Sequence, residues 1–278
     1  MKREQYPPQE PLSEAGTAYG EECWRRGAEV AFSEFAYGPD PYQRLLIAKA
    51  SHPDGRVLLF WHGGGWTSGY KEWMAFMAPA FNAAGVTFVS AGYQLAPQHL
   101  FPAGVEDCAQ AVKWVAENIA ASGGDPEQVF VGGHSSGGHY AALLAADDAW
   151  TKVLGLPRDI VRGCLALSGV FEFGEASGLS ARPRFLGDDP GNDARASPLL
   201  RLATGTPPFL IACGTRDFPH LIGQAARFAE AVRAIGGEVE EIALADRTHF
   251  TASYAGGEPD GPWVPKALEF MASHARPT

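Results

Sequence analysis

The sequence predicts an α/β protein built on one mostly parallel sheet with helices on both faces. Three observations carry that expectation. From residue 57 onward, short apolar runs alternate with segments whose apolar residues recur at helical spacing, the pattern of repeated strand–helix units. The runs are continuous, as in Val57-Leu58-Leu59-Phe60-Trp61, so both faces of those strands should be buried, as in a parallel sheet. The third observation is Val129-Phe130-Val131-Gly132-Gly133-His134-Ser135-Ser136-Gly137-Gly138-His139. It reads as an apolar strand, an abrupt turn and a helix continuing through residues 140–146.

The elements follow in order. Residues 1–12 are polar and rich in proline and read as an arm over the surface. Residues 13–28 read as a helix. Residues 29–37 and 42–49 alternate apolar and polar about Gly38-Pro39-Asp40-Pro41, an antiparallel hairpin. The buried strand 57–61 ends at His62-Gly63-Gly64-Gly65-Trp66. A helix over 71–84 leads to a buried strand at 86–90. Residues 104–121 place Val105, Cys108, Val112, Val115 and Ile119 on one helical face. Asp125-Pro126 turns the chain into the strand before Ser135. Strands are expected at 161–167, 208–213 and 239–244. Helices are expected at 220–235, closed by Gly236-Gly237, and at 265–274. Residues 171–206 break the rhythm. They are rich in Gly, Ser, Asp and Pro and too long for a plain connector. Two readings fit this segment: a disordered insertion, or, together with residues 1–28, a small cap over the site. The cap is the expectation adopted, within a single domain spanning 1–278.

Bulk properties narrow the function classes. A chain of 278 residues can bury a large core. Its formal charge of −10 argues against nucleic acid or an anionic membrane as partner. The four cysteines, Cys23, Cys108, Cys164 and Cys213, are scattered and have no metal-site spacing. Cys164 and Cys213 fall in apolar runs, where a free thiol acts as a small hydrophobe. The first residues contain no apolar signal-like core, and no apolar run reaches membrane-spanning length. These features lead to the expectation of a cytoplasmic protein. Its oligomeric state is open between monomer and homodimer.

The strand–turn–helix carries the chemistry. Gly133, Ser135 and Gly137 spell Gly-x-Ser-x-Gly, the nucleophile elbow. A serine on such a turn stands at a helix N-terminus, where backbone N–H groups favour developing negative charge. Ser136 competes for the role, but framing the motif on it puts the bulk of His134 where strand and helix must pass closely. Acyl transfer also needs a base, a group that orients the base, and donors for the tetrahedral oxyanion. His249, after the last strand, is the candidate base. Asp217, after the preceding strand, is the candidate acid; its rival is Asp246, three residues from His249. The N–H groups of Gly64, Gly65 and Ser136 are the candidate oxyanion donors. Trp66 either lines the leaving-group pocket or packs under its loop. His134 and His139 read as structural or pocket-wall residues, with His134 nearest the substrate. His62 is expected to anchor its loop. His52, His99, His220 and His274 carry no signal. Chemistry of this kind calls for no metal and no cofactor.

These residues resemble the α/β-hydrolase fold, and more closely its esterase and arylformamidase branches. Tyr93-Gln94-Leu95-Ala96-Pro97, Phe101-Pro102-Ala103 and Glu106-Asp107 resemble the stretch after the glycine loop in hormone-sensitive-lipase-like esterases. Tyr37-Gly38-Pro39, His62-Gly63-Gly64-Gly65-Trp66, Ser68-Gly69 and Asp217-Phe218-Pro219 resemble kynurenine formamidases (arylformamidases). The similarity runs from about residue 30 to 275. It implies a serine hydrolase acting on small carboxylic esters or aryl amides, with a dedicated formamidase as the alternative. A non-catalytic binding protein on the same fold is a remoter alternative. The formamidase glycine motif is His-Gly-Gly-x-Trp, with x commonly tyrosine. Gly65 stands there in this chain, which implies a more open site.

Overall fold

A computed structural model describes residues 3–276. Among them, eight strands form one sheet in the order β1-β2-β4-β3-β5-β6-β7-β8. Helix α1 (Glu14–Gly27) opens on Ser13, whose hydroxyl accepts the Gly16 N–H. The hairpin β1 (Ser33–Ala36) and β2 (Arg44–Ala48) follows, antiparallel as expected but shorter than the alternation suggested. β3 (Gly55–Trp61) is parallel to both β4 (Thr87–Ala91) and β5 (Gly124–His134). The predicted helix over 71–84 is a 3-10 turn, Lys71–Met77, that relaxes into the short helix α2 (Ala78–Asn82). α3 (Ala103–Asn118) packs beside α4 (Ser136–Ala146), and α5 (Ala149–Leu154) leads to β6 (Val161–Leu167). The two strands that follow, both longer than predicted, are β7 (Phe209–Arg216) and β8 (Val239–Thr248). Asp125 and Pro126, read as a turn, lie within β5.

The apolar runs divide by strand parity. Val57, Leu59 and Trp61 join a core on one face, with residues of α3 and α4. Leu58 and Phe60 join a second core on the other face. That core includes Trp263 and residues of the last helix. Both faces are covered, which is why β3 shows no polar alternation. Cys164 is buried in β6, and Cys213 is half-buried in β7. No helix among the described residues is long and apolar enough to cross a membrane.

Residues 171–206 are ordered by side chains. The Gln224 side-chain oxygen accepts the N–H groups of Phe171 and Glu172, and its amide donates to the Ser177 carbonyl. Ser197 Oγ accepts from the Phe173 N–H, and Asn192 donates to the Leu186 carbonyl. Two short helices, α6 (Gly191–Ala196) and α7 (Pro198–Arg201), lie in the segment. α8 (Pro219–Ala234), α9 (His249–Tyr254) and α10 (Val264–Ser273) complete the fold. These side-chain bonds hold residues 171–206 in a defined arrangement.

Candidate active site

Strand register assembles the site at the carboxyl ends of the parallel strands, where open α/β sheets place their ligands. His134 pairs with Leu167, so the next residues, Ser135 and Ser168, leave the sheet side by side. Arg216 pairs with Thr248, so Asp217 and His249 likewise emerge as neighbours. A reciprocal cap between Thr248 and Thr251 starts α9 at His249.

The turn at Ser135 is set by steric exclusion. Ser135 has φ 55° and ψ −119°, a sparsely populated conformation for a side-chain-bearing residue. A Cβ at Gly133 would lie 2.2 Å from the Gly137 carbonyl carbon, and a Cβ at Gly137 would lie 2.2 Å from the Trp61 carbonyl oxygen. Neither position admits a side chain, which is the physical reason for framing the motif on Ser135. Ser136 is fully buried, with its hydroxyl 3.2 Å from that of Tyr93.

Ser135, His249 and Asp217 lie in one line. Ser135 Oγ is 2.9 Å from His249 Nε2, and His249 Nδ1 is 2.9 Å from Asp217 Oδ1. Asp217 Oδ1 also accepts the Phe218 N–H at 2.7 Å, and Oδ2 accepts the Ser168 hydroxyl at 2.5 Å. Burial pushes the Asp217 carboxyl up. The His249 hydrogen bond and charge, the Ser168 hydroxyl and the Phe218 N–H outweigh it, so the group stays below the usual carboxylate range. Asp246, the rival acid, is exposed with φ 58°, and its N–H is bonded to Thr215 Oγ1.

The glycine loop follows β3, next to the turn. Gly64 has φ 126°, and a Cβ there would lie 1.9 Å from the Ser68 carbonyl oxygen, so only glycine fits. Gly65 has φ 62° and open space where a Cβ would stand. Among the described residues, no backbone carbonyl takes the N–H of Gly64, Gly65 or Ser136. His62 anchors the loop as expected: Nδ1 bonds the Gly63 carbonyl at 2.7 Å, and the ring stacks on Tyr93. Burial holds its pKa near 4, so it is neutral.

Trp66 sits between the glycine loop and residues 171–206. Its ring stacks on Phe185 of the cap at 4.4 Å, its Nε1–H donates to His139 Nδ1, and it borders the cavity. His139 Nε2 in turn donates to the Ala196 carbonyl, so this buried histidine joins the glycine loop to the cap. His134 also borders the cavity, but both ring nitrogens are engaged by protein, with the Tyr19 hydroxyl and the His249 carbonyl. It is a wall, with no free hydrogen-bonding atom for substrate.

The cavity over Ser135 measures about 390 Å³, at the small end of ligand sites. The arm contributes Pro11 and Leu12, the start of α1 contributes Ser13 and Gly16, and residues 171–206 contribute Leu179 and Arg184. Arg184 pairs with Glu10, tying cap to arm across the mouth. Ser168, His220 and Arg184 are among the contributors that escaped the sequence reading. Ser168 could have been found as the polar residue ending a buried strand beside the Ser135 strand. His220 lines the cavity and stacks on Phe218; burial and the neighbouring His249 lower its pKa. Arg184 had no local signal, because only the fold brings it to the arm.

The chain has relatives among known proteins. The isoprenylcysteine alpha-carbonyl methylesterase ICME of Arabidopsis thaliana is 27% identical over 252 residues, covering 80% of this chain and 59% of that protein. The esterase LipQ of Mycobacterium tuberculosis is 30% identical over 238 residues, covering 78% of this chain and 56% of that one. The chain thus spans a little over half the length of these curated relatives. The solved structure of a Pyrobaculum calidifontis esterase superposes with a TM-score of 0.73 at 21% identity, over 95% of this chain and 99% of that one. Residues 58–253 match the family model of the alpha/beta hydrolase fold, and the chain belongs to that family.

Proposed function

We propose that this protein is a carboxylesterase-type serine hydrolase of small esters. The observation that carries the reading is the line Ser135 Oγ–His249 Nε2–Asp217, with both links at 2.9 Å. With its Nδ1–H donated to Asp217, His249 turns Nε2 to the Ser135 hydroxyl to accept its proton. Ser135 Oγ attacks the acyl carbon, and the carbonyl oxygen becomes an oxyanion received by the N–H groups of Gly64, Gly65 and Ser136. Collapse expels the alcohol, which takes the proton from His249 Nε2. Water then enters, gives a proton to His249 Nε2 and attacks the acyl carbon; as the acid leaves, that proton passes from Nε2 to Ser135 Oγ and restores the hydroxyl. Asp217 holds the tautomer and compensates the imidazolium charge.

The cavity supports small, largely apolar substrates, since Leu12, Val170, Leu179, Leu221 and Phe250 line it. The esterase names of the relatives support an ester bond. The open space at Gly65 supports a broad acyl range over specialisation for formyl. Each methylene is then worth only about 1 kcal/mol or slightly more, and aryl formamides are accepted without strong preference. The test is kcat/KM for phenyl acetate, phenyl butyrate and N-formylkynurenine. Comparable values for the two esters, at or above that for the formamide, are expected. A preference for N-formylkynurenine beyond about a hundredfold would make the protein a dedicated arylformamidase. Gly65→Tyr should shift the ratio toward the formamide, at a backbone cost of roughly 1–2 kcal/mol for a side chain at positive φ.

A further inference from the structure

We infer that His134 is a positioning residue for the base: with Tyr19 and Ser253 it closes a buried hydrogen-bonded ring that fixes the backbone of His249. The inference rests on the serine-hydrolase reading above and assigns a role to three residues that reading leaves unused.

The geometry is closed. His134 Nε2 is 2.9 Å from the His249 carbonyl oxygen. His134 Nδ1 is 3.3 Å from the Tyr19 hydroxyl, which is 2.9 Å from Ser253 Oγ. Ser253 lies on α9, the helix that His249 begins. The ring therefore starts and ends on the same helix. It passes through the residue preceding Ser135 and through α1, a helix that also walls the cavity with Gly16.

One set of directions satisfies every bond. A carbonyl only accepts, so His134 Nε2 carries the proton. Burial and the adjacent His249 lower the His134 pKa to about 3, so the ring is neutral and Nδ1 is bare. The Tyr19 hydroxyl, kept protonated by burial, donates to Nδ1. Its oxygen is left to accept from the Ser253 hydroxyl. No donor faces a donor, and the polar groups linked in the ring are partnered. All three supporting side chains are buried, Ser253 fully, His134 at 1% and Tyr19 at 4% exposure. Trp73, Phe250 and Tyr254 pack around the Tyr19 ring and keep water from competing for these bonds.

A backbone held in this way sets where the His249 imidazole stands relative to Ser135. The elbow supplies both the nucleophile and, one residue earlier, the side chain that locates the base. The two reacting groups are thereby referenced to one rigid turn. Loss of the ring should leave substrate binding intact and misplace Nε2, the kind of error worth up to about a hundredfold in rate.

The experiment measures kcat and KM for phenyl acetate, together with thermal midpoints, on His134→Leu, His134→Gln, Tyr19→Phe and Ser135→Ala. His134→Leu should lose roughly thirtyfold to a hundredfold in kcat with KM within about twofold. His134→Gln should recover most of that loss, because its amide N–H can donate to the His249 carbonyl while its oxygen accepts from the Tyr19 hydroxyl. Tyr19→Phe, which keeps the ring packing, should lose about tenfold in kcat. A folded His134→Leu with kcat within twofold of wild type overturns the inference, as does a loss confined to KM. If His134→Leu does not fold, Tyr19→Phe decides by the same criterion. Ser135→Ala separates the two layers: if it keeps activity the serine-hydrolase reading fails, whereas if it alone is dead only the role of His134 fails.

Discussion

The floor and the lid of the cavity are built by different physics. The floor is the row of strand ends that carries the glycine loop, Ser135, Ser168, Asp217 and His249. Its positions follow from strand register, with Leu167 opposite His134 and Thr248 opposite Arg216, and from clashes that admit only glycine at 133 and 137. The lid is the arm, α1 and residues 171–206. It is held by contacts between segments distant in sequence: Gln9 exchanges two hydrogen bonds with Gly69, the Glu10 carbonyl takes the Ser68 hydroxyl while its carboxylate pairs with Arg184, Gln224 fastens residues 171 and 172, and Tyr19, Cys23, Phe171, Phe173 and Phe185 are buried in the two cores. Register fixes several groups at once and leaves a pattern in the sequence. Contacts between single residues far apart in sequence leave little local trace. Substitutions in the floor should therefore remove chemistry, and substitutions in the lid should tune it.

The largest expected effect is at the floor. Ser135→Ala should lower kcat by something on the order of a million-fold, as triad removals do, while Ser136→Ala should keep most activity because its proposed contribution is a backbone N–H. Steady-state rates on phenyl acetate decide, and the reverse ranking would move the nucleophile to Ser136. Next, Asp217→Asn should cost roughly ten-thousandfold in kcat by favouring the wrong tautomer of His249. Asp246→Asn, at an exposed position, should cost little; a comparable loss there would give Asp246 a role the distances do not suggest.

Legibility in the sequence follows the same division. Continuous apolar runs such as Val57-Leu58-Leu59-Phe60-Trp61 declared the parallel strands, because burial on both faces removes polar alternation. Gly133 and Gly137 declared the turn, because close approach of backbone to backbone tolerates no other residue. Chain order then pointed to Asp217 and His249 as the strand-end residues that the structure places beside Ser135. The lid was legible only as an interruption. Gln224, Ser197 and Glu10 order it through contacts 24 or more residues distant in sequence, and no local pattern encodes such a pairing. The helix predicted over 71–84 became a 3-10 turn for a similar reason. Lys71 is buried there against Glu72 and Tyr6, a tertiary demand that overrides local propensity.

Smaller effects should come from the lid. Removing the arm through Leu12 frees the 64–69 loop from Gln9 and Glu10 and opens one wall. kcat/KM should fall by roughly ten- to a hundredfold, with the protein still folded by circular dichroism. An unchanged kcat/KM would show that the loop holds itself. The pH dependence of stability probes the joints between the two regions. His139 and His134 bridge floor and lid as neutral rings, with pKa values lowered by burial to about 4 and about 3. The unfolded chain takes up those protons below about pH 6.5. Between there and pH 4 the unfolded state binds more protons, so stability is full above that range and falls as pH is lowered. Each ring contributes up to about 1.4 kcal/mol per pH unit. Urea midpoints at pH 7 and pH 5 should show the loss, and His139→Gln should reduce it. Identical losses in wild type and variant would mean that His139 is not held neutral.

The most direct test of the central claim is covalent. The intact protein is treated with a fluorophosphonate and the adduct located by peptide mass spectrometry. The expected result is one phosphonyl group on Ser135, absent in Ser135→Ala and formed far more slowly in Asp217→Asn. An adduct on another serine, or undiminished ester turnover after Ser135 is fully modified, would contradict the assignment of Ser135, His249 and Asp217 to the reaction.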